Sequence, residues 1–94
     1  MKANLVSKNV TINGRRTSLR LEQASWEAIA DICECEGLSL HELCSLIENR
    51  RSGASRTSTV RAFIVTYYRA VAAEYGALQG GTASSILPEL AARR

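Results

Sequence analysis

Apolar and polar residues alternate in two short segments near the start of the chain, residues 6–12 and 16–21. A period of two is typical of strands that bury one face and expose the other. Asn13 and Gly14 separate the two segments. This dipeptide favours the positive φ angles of a two-residue type I′ turn, so the pattern predicts a β-hairpin.

The apolar spacing then changes to three and four residues, which predicts three helices. The first runs from Glu22 to Glu36 and ends at Gly37, the second from Leu40 to about Arg50, and the third from about Thr57 to Tyr75. The residues expected to face inward on the first two helices are Trp26, Ile29, Ala30 and Cys33, followed by Leu40, Leu43, Leu46 and Ile47.

The start of the second helix has the form of a capping box. Ser39 is followed three residues later by Glu42. In this motif the serine hydroxyl accepts a hydrogen bond from the third helical amide, and the glutamate accepts one from the serine amide. We therefore expect Ser39 to be the N-cap and Glu42 to have a structural role.

These elements together predict an α+β fold that is mostly helical, a hairpin followed by three helices. We divide the chain into an N-terminal arm (residues 1–9), the folded domain (residues 10–76) and a weakly ordered tail (residues 77–94). The tail contains Gly80-Gly81 and the only proline, and a short helical turn is expected around Pro88 to Ala92.

Charge is segregated along the chain although the net charge is only +3. Residues 1–20 contain five basic and no acidic residues, residues 21–48 contain seven acidic residues and neither lysine nor arginine, and residues 49–69 contain five arginines and no acid. A fold that brings the basic segments together can present a positive face to an anionic partner.

Several classes of protein are disfavoured by composition. No apolar run approaches the roughly 18 residues that a membrane span needs, and no secretory signal is visible at the N-terminus. Three cysteines do not suggest a disulfide framework, because one would be left unpaired. We expect a cytoplasmic protein without a membrane partner.

Cys33, Cys35, His41 and Cys44 are four possible zinc ligands within twelve residues. Cys33 and Cys35 would point about 200° apart on a helix, however, so they could not bind the same ion. His41 and Cys44 lack a third group that would orient a nucleophilic pair. We therefore expect no metal, no cofactor and no enzymatic activity.

A resemblance to a known family emerges from the order of strand, helix, glycine turn and capped helix. Residues 16–47 resemble the ribbon-helix-helix domain of the MetJ/Arc superfamily, and they read RTSLRLEQASWEAIADICECEGLSLHELCSLI. The third helix, with Ser58-Thr59-Val60-Arg61-Ala62-Phe63, is similar to a bacterial branch of that superfamily that adds a helix after the core motif.

The resemblance implies an intertwined homodimer that inserts an antiparallel ribbon into the major groove of double-stranded DNA, as a transcriptional repressor does. The residues expected to contact bases are Arg16, Ser18 and Arg20. Those expected to contact phosphates are Arg15, Ser39, Leu40, His41, Arg50 and Arg51. Those expected to form the dimer core are Leu19, Leu21, Trp26, Leu43 and Ile47.

The first predicted strand is a departure from the simplest family members, which have one strand per chain. Four strands in a dimer would span about 14 Å, more than a major groove about 12 Å wide. The strand could peel away as an arm, adding Lys2 and Lys8 to the phosphate contacts. The hairpin could instead sit at the far end of the ribbon, or the dimer could be a protein-interaction module that binds a partner through its third helix and tail.

Overall fold

The chain folds into a hairpin followed by helices. The computed structural model describes residues 4–76, 78 and 80–91. In chain order its elements are β1 (Leu5–Ile12), β2 (Arg15–Glu22), α1 (Gln23–Glu36), α2 (Leu40–Glu48), α3 (Arg56–Tyr75), α4 (Thr82–Ile86) and α5 (Pro88–Ala91). The predicted α+β fold, with a hairpin before three main helices, is confirmed.

β1 and β2 pair antiparallel along their whole length, from Leu5 opposite Glu22 to Ile12 opposite Arg15. The connecting turn has φ angles of 51° at Asn13 and 82° at Gly14. Positive φ at both positions is what a type I′ turn requires, so the turn predicted from this dipeptide is confirmed. Residues 5–9 were expected to belong to an N-terminal arm, but they are part of the hairpin.

The core lies between the inner face of the hairpin and the helices α1, α2 and α3. Every member is at most 5 % exposed: Val10, Ile12, Leu19, Leu21, Trp26, Ile29, Ile32, Leu43, Cys44, Ile47 and Val60. β1 contributes to this core as much as β2 does.

β1 is held in place by burial and by Trp26. Val10 and Ile12 are 1 % and 5 % exposed, and exposing each would cost about 1.5–3 kcal/mol. The Trp26 Nε1 donates a hydrogen bond of 2.8 Å to the Val6 carbonyl, and the Lys8 Nζ lies 5.2 Å from the centre of the indole ring. The structure therefore does not support a detached arm, and Lys2 lies outside the described residues.

The five residues expected to form a dimer core are buried within a single chain. Leu19, Leu21, Trp26, Leu43 and Ile47 are each at most 4 % exposed. Their burial does not require a second copy, so it is not evidence for a dimer. Any case for self-association has to come from another part of the surface.

Two residues expected to face inward are exposed. Leu46 on α2 is 53 % exposed, and Ala30 on α1 is also exposed, while Cys44 and Ile32 are buried. α2 is rotated toward Cys44 because a row of polar side chains on its flank is hydrogen-bonded to the hairpin. The inward stripe of α1 continues to Ile32 instead of through Ala30.

Beyond α3 the tail forms α4 and α5, so the helical turn expected around Pro88 is present, although position 92 lies outside the described residues. Leu78 and Ile86 are 85 % and 73 % exposed. The tail thus presents apolar side chains to solvent.

Candidate nucleic-acid interface

The outer face of the hairpin has one row of polar side chains from each strand. The β2 outer row consists of Arg16, Ser18 and Arg20, and the β1 outer row consists of Thr11, Asn9 and Ser7, which lie opposite them in that order. All six residues are exposed. They share a face because strand residues two apart point the same way. The strand pairing thus brings the three residues expected to contact bases onto one solvent-facing surface.

The two arginines of the β2 outer row form no ion pair within residues 4–76, 78 and 80–91. Glu22, at the end of the same face, is held by Arg61 through hydrogen bonds of 3.0 and 2.8 Å. These bonds from Arg61 lower the pKa of Glu22 from 4.5 to about 2. Because Arg61 balances the Glu22 charge, the outer face has a net positive charge.

Ser18 lies between the two arginines, and its hydroxyl is 2.9 Å from that of Ser7. A hydroxyl can donate one hydrogen bond and accept others, so Ser18 keeps bonding capacity toward a ligand.

Side chains of α2 and of its C-cap residue cover the turn end of the outer edge of β1. The Thr11 amide donates to His41 Nδ1 at 2.9 Å, and the Asn13 amide donates to Ser45 Oγ at 2.9 Å. The Asn13 side-chain amide donates to Asn49 Oδ1 at 3.0 Å. His41 and Ser45 of α2 and Asn49, its C-cap residue, are four apart, so they form one row along the helix.

The outer edge of β2 is open within the described residues, because no third strand pairs with it and no hydrogen bond is donated by its outward amides. The amide of Thr11 points away from β2, toward His41, and this fixes the phase of the hydrogen-bond ladder. The β2 outer row lies opposite Thr11, Asn9 and Ser7. The amides of the β2 outer row therefore also point away from the hairpin. Such an edge is a template for a further strand.

The N-terminus of α2 contains the predicted capping box, which is confirmed. The Ser39 amide donates to Glu42 Oε1 at 2.8 Å, and the Glu42 amide donates to Ser39 Oγ at 3.1 Å. The first amides that remain for an anion are those of Leu40 and His41. The bond from the Ser39 amide lowers the pKa of Glu42, so an ionised carboxylate lies beside these amides.

The residues expected to contact phosphate have different local environments. The Ser39 hydroxyl is used in the capping box, and His41 accepts a bond from β1 through Nδ1, which leaves its Nε2 as the nitrogen that can donate. Arg15 and Arg50 are exposed, and neither forms an ion pair in the part of the chain that the structure describes. Phosphate contact by any of them stays a prediction.

Three of the other arginines are engaged within the chain. Arg51 and Arg56 both bind Glu48, each at 2.8 Å, and the bonds from Arg56 and then Arg51 lower the pKa of Glu48 to about 2. Arg61 binds Glu22. Arg51 would have to exchange a carboxylate partner for a phosphate, whereas Arg50 would not.

Sequence reasoning missed the hydrogen bonds from α2 to β1. No role was predicted for Ser45 or Asn49, and His41 was expected to contact phosphate and not β1. The spacing of these residues on one helix row was a visible signal, but their target on β1 depends on how α2 docks.

The cysteines have three different environments, with Cys33 half-buried, Cys35 exposed and Cys44 buried. Burial raises the pKa of Cys44 to about 11. Among the described residues there is no group of three or more metal-binding side chains, and none of the helices found there is long and apolar enough to cross a membrane.

Comparisons with known proteins identify the fold. The structure is similar to that of an uncharacterized protein from Bordetella pertussis Tohama I, with a TM-score of 0.61 and 22% sequence identity over 90% of this chain and 77% of the other. At that identity the likeness shows the fold alone. None of the curated proteins compared with this chain matches it.

A sequence profile described as "Ribbon-helix-helix domain" matches residues 5–68, which include the hairpin, α1, α2 and most of α3. The match begins with β1, so the extra strand lies within the family's own pattern. The chain belongs to the ribbon-helix-helix family.

Proposed function

We propose that this protein is a homodimeric, sequence-specific DNA-binding regulator that acts as a transcriptional repressor in the cytoplasm. Members of the ribbon-helix-helix family are usually DNA-binding regulators, and the family assignment supports this class. The observation that carries the proposal is the β2 outer row, in which two arginines without ion-pair partners in the described chain flank a serine on an exposed strand face.

The open edge of β2 supports a dimer in which the two copies of β2 pair antiparallel. A two-fold axis at Ser18 would let the outward amides of both strands find partners. A slip by one residue would put polar and apolar side chains on the same face, so the register is constrained. Each Arg16 would then lie opposite Arg20 of the partner subunit, and four arginines would share one face.

Four like charges on one sheet face repel each other unless an anion neutralises them. DNA provides that charge, and a strand ribbon can enter the major groove. There an arginine can donate two hydrogen bonds to guanine O6 and N7, and a serine can donate or accept. We assign base contact to the β2 outer row and phosphate contact to the free amides of Leu40 and His41, with Arg15 and Arg50 adding charge.

A titration of labelled DNA duplexes over a range of salt concentrations tests the proposal. Binding should weaken with salt, with a log–log slope of about −0.9 for each phosphate contact. Replacing Arg20 with alanine should cost about 1–3 kcal/mol and relax preference at one position in each half-site. Arg69→Ala is the matched control, because it removes an equal charge from an exposed position on α3. Undetectable or salt-insensitive binding by the unaltered protein would refute the proposal.

A second candidate is a protein-interaction surface on α3 and the tail. Val65 is 58 % exposed and Tyr75 is 76 % exposed on α3, and apolar tail residues are exposed as well. The double substitution Val65→Glu and Tyr75→Glu should abolish capture of a specific protein partner while leaving DNA binding unchanged. If the substitutions instead weaken DNA binding equally for all duplexes, this surface supports the fold rather than a partner.

A further inference from the structure

The two rows on the outer face of the hairpin differ in length and charge. The β2 outer row has two long cationic side chains, whereas Ser7, Asn9 and Thr11 of the β1 outer row are short and neutral. The sheet surface is therefore high along β2 and low along β1. In a dimer paired through β2, the long side chains would form a central ridge with a low strip on each side.

The distances across such a sheet decide what each row can reach. With strands about 4.8 Å apart, β2 lies about 2.4 Å from the two-fold axis and β1 about 7 Å from it. The major groove is about 12 Å wide, so its walls lie about 6 Å from its centre. β2 is thus placed over the base edges and β1 over the sugar-phosphate walls.

We propose that the β1 outer row contacts the phosphate backbone on both walls of the groove, as a set of neutral hydrogen-bond donors. This rests on the proposed function, and it explains how a four-stranded sheet can dock on a groove narrower than itself. Short side chains let the walls approach β1 while the arginines of β2 extend between them. Charge is not needed on β1, because the central arginines supply it.

Asn9 is the residue of this row with the clearest capacity for such a contact. It is exposed, lies opposite Ser18 at the centre of the hairpin, and its side chain forms no hydrogen bond to the described part of the chain. Asparagine is disfavoured in strands, so its place in the middle of β1 is not explained by strand propensity. Its carboxamide has two N–H donors for a phosphate oxygen.

Neutral and charged contacts can be separated by their salt dependence. A neutral donor displaces no counterion from DNA when it binds. Its removal should therefore lower the affinity without changing the slope of log affinity against log salt concentration. Asn9→Ala removes one contact from each half of the dimer and should weaken binding about 5- to 150-fold for every duplex alike. Asn9→Lys should place a cation beside phosphate in each half of the dimer and steepen the slope by about 1.8.

The experiment measures binding of the full chain to a duplex selected from a randomised pool and to an unselected duplex over a salt series, for the unaltered protein, Asn9→Ala, Asn9→Lys and Arg20→Ala. Thr66→Lys is the control, since it adds a lysine at an exposed position on α3. The proposal is supported if Asn9→Lys steepens the slope more than Thr66→Lys does and both Asn9 variants keep the base preference. Circular dichroism confirms that the variants are folded.

Two results would overturn the proposal that the β1 outer row contacts phosphates. A changed base preference in Asn9→Ala would mean that β1 lies over bases, and unchanged binding in both Asn9 variants would mean that β1 is away from DNA. In either case a defect in Arg20→Ala would leave the proposed function standing. If the unaltered protein shows no salt-dependent binding, the proposed function itself fails.

Discussion

The two edges of the hairpin differ at the end next to the turn, where α2 covers the edge of β1 but not that of β2. On β1, the outward amide of Thr11 is bonded to His41, and the Asn13 amide at the turn is bonded to Ser45. On β2, the outward amides donate no hydrogen bond within the described chain. Both strands have eight residues, so the difference comes from what packs beside them and not from their length.

This difference shows how a hairpin can be limited to one partner. An unpaired edge is a site for uncontrolled association, and proteins commonly cover such edges or place charges on them. Here α2 covers one end of β1, while β2 has an arginine on either side of Ser18. Repulsion between the arginines limits pairing at the open edge, and an anion bound across two copies of β2 offsets that repulsion.

The largest effect should come from blocking the open edge. Ser18→Pro removes an outward amide at the centre of β2, where the N–H has no partner within the hairpin, so the single chain can still fold. The β2–β2 pairing that we propose would lose central hydrogen bonds and meet the proline ring. Light scattering should give twice the chain mass for the unaltered protein and the chain mass for Ser18→Pro, and DNA binding should be lost.

Asn9→Pro is the matched control on the other edge. Asn9 lies directly opposite Ser18, and its amide also points outward, so the change in the backbone is the same. This variant should remain dimeric. A dimeric Ser18→Pro, or a monomeric Asn9→Pro, would place the contact between subunits elsewhere than on the β2 edge.

A smaller effect should follow from uncovering the turn end of the β1 edge. The double substitution His41→Ala and Ser45→Ala removes the acceptors for the Thr11 and Asn13 amides. Each bond contributes about 0.5–1.5 kcal/mol, and water can replace part of it at these exposed positions. Urea unfolding should show a loss of about 1–3 kcal/mol in all. Hydrogen exchange should accelerate at Thr11 and Asn13, and unchanged exchange there would contradict the role assigned to α2.

The parts of the fold that sequence predicted well are those fixed by local chemistry. Asn13 and Gly14 set the turn, because few other residue pairs adopt positive φ twice. Ser39 and Glu42 set the start of α2 through bonds between residues three apart. Such features depend on neighbouring residues alone, so they can be read from spacing.

The features that sequence missed depend on how elements dock. Helical spacing could not show that Leu46 would be exposed, because the rotation of α2 follows from polar bonds to a strand about thirty residues earlier. Nor could spacing show that Arg61 would bind Glu22, 39 residues away. The arginines left for a ligand can be identified only once those pairs are known.

A smaller effect still is expected from acid, because ion pairs tie α3 to the end of β2 and to the end of α2. The pKa values of Glu22 and Glu48 are both about 2 in the folded chain, against an ordinary value of 4.5. Folding therefore gains from these carboxylates above pH 4.5, and the gain is lost as pH falls from 4.5 toward 2. Thermal unfolding from pH 7 to 2.5 should show this decline, and Glu22→Gln and Glu48→Gln should each flatten it. Identical acid profiles in all three proteins would show that the two pairs add nothing measurable, as exposed pairs sometimes do.

The smallest effect concerns whether α2, which covers the turn end of the β1 edge, contacts DNA as well. Glu42→Gln keeps an acceptor for the Ser39 amide, so the capping box can persist, but it removes a negative charge beside the free amides of Leu40 and His41. If those amides bind phosphate, DNA affinity should rise about two- to fivefold. Glu34→Gln is the control, since it removes an equal charge from an exposed position on α1. An equal rise in both variants would reflect net charge alone, and the N-terminus of α2 would then lie away from the DNA backbone.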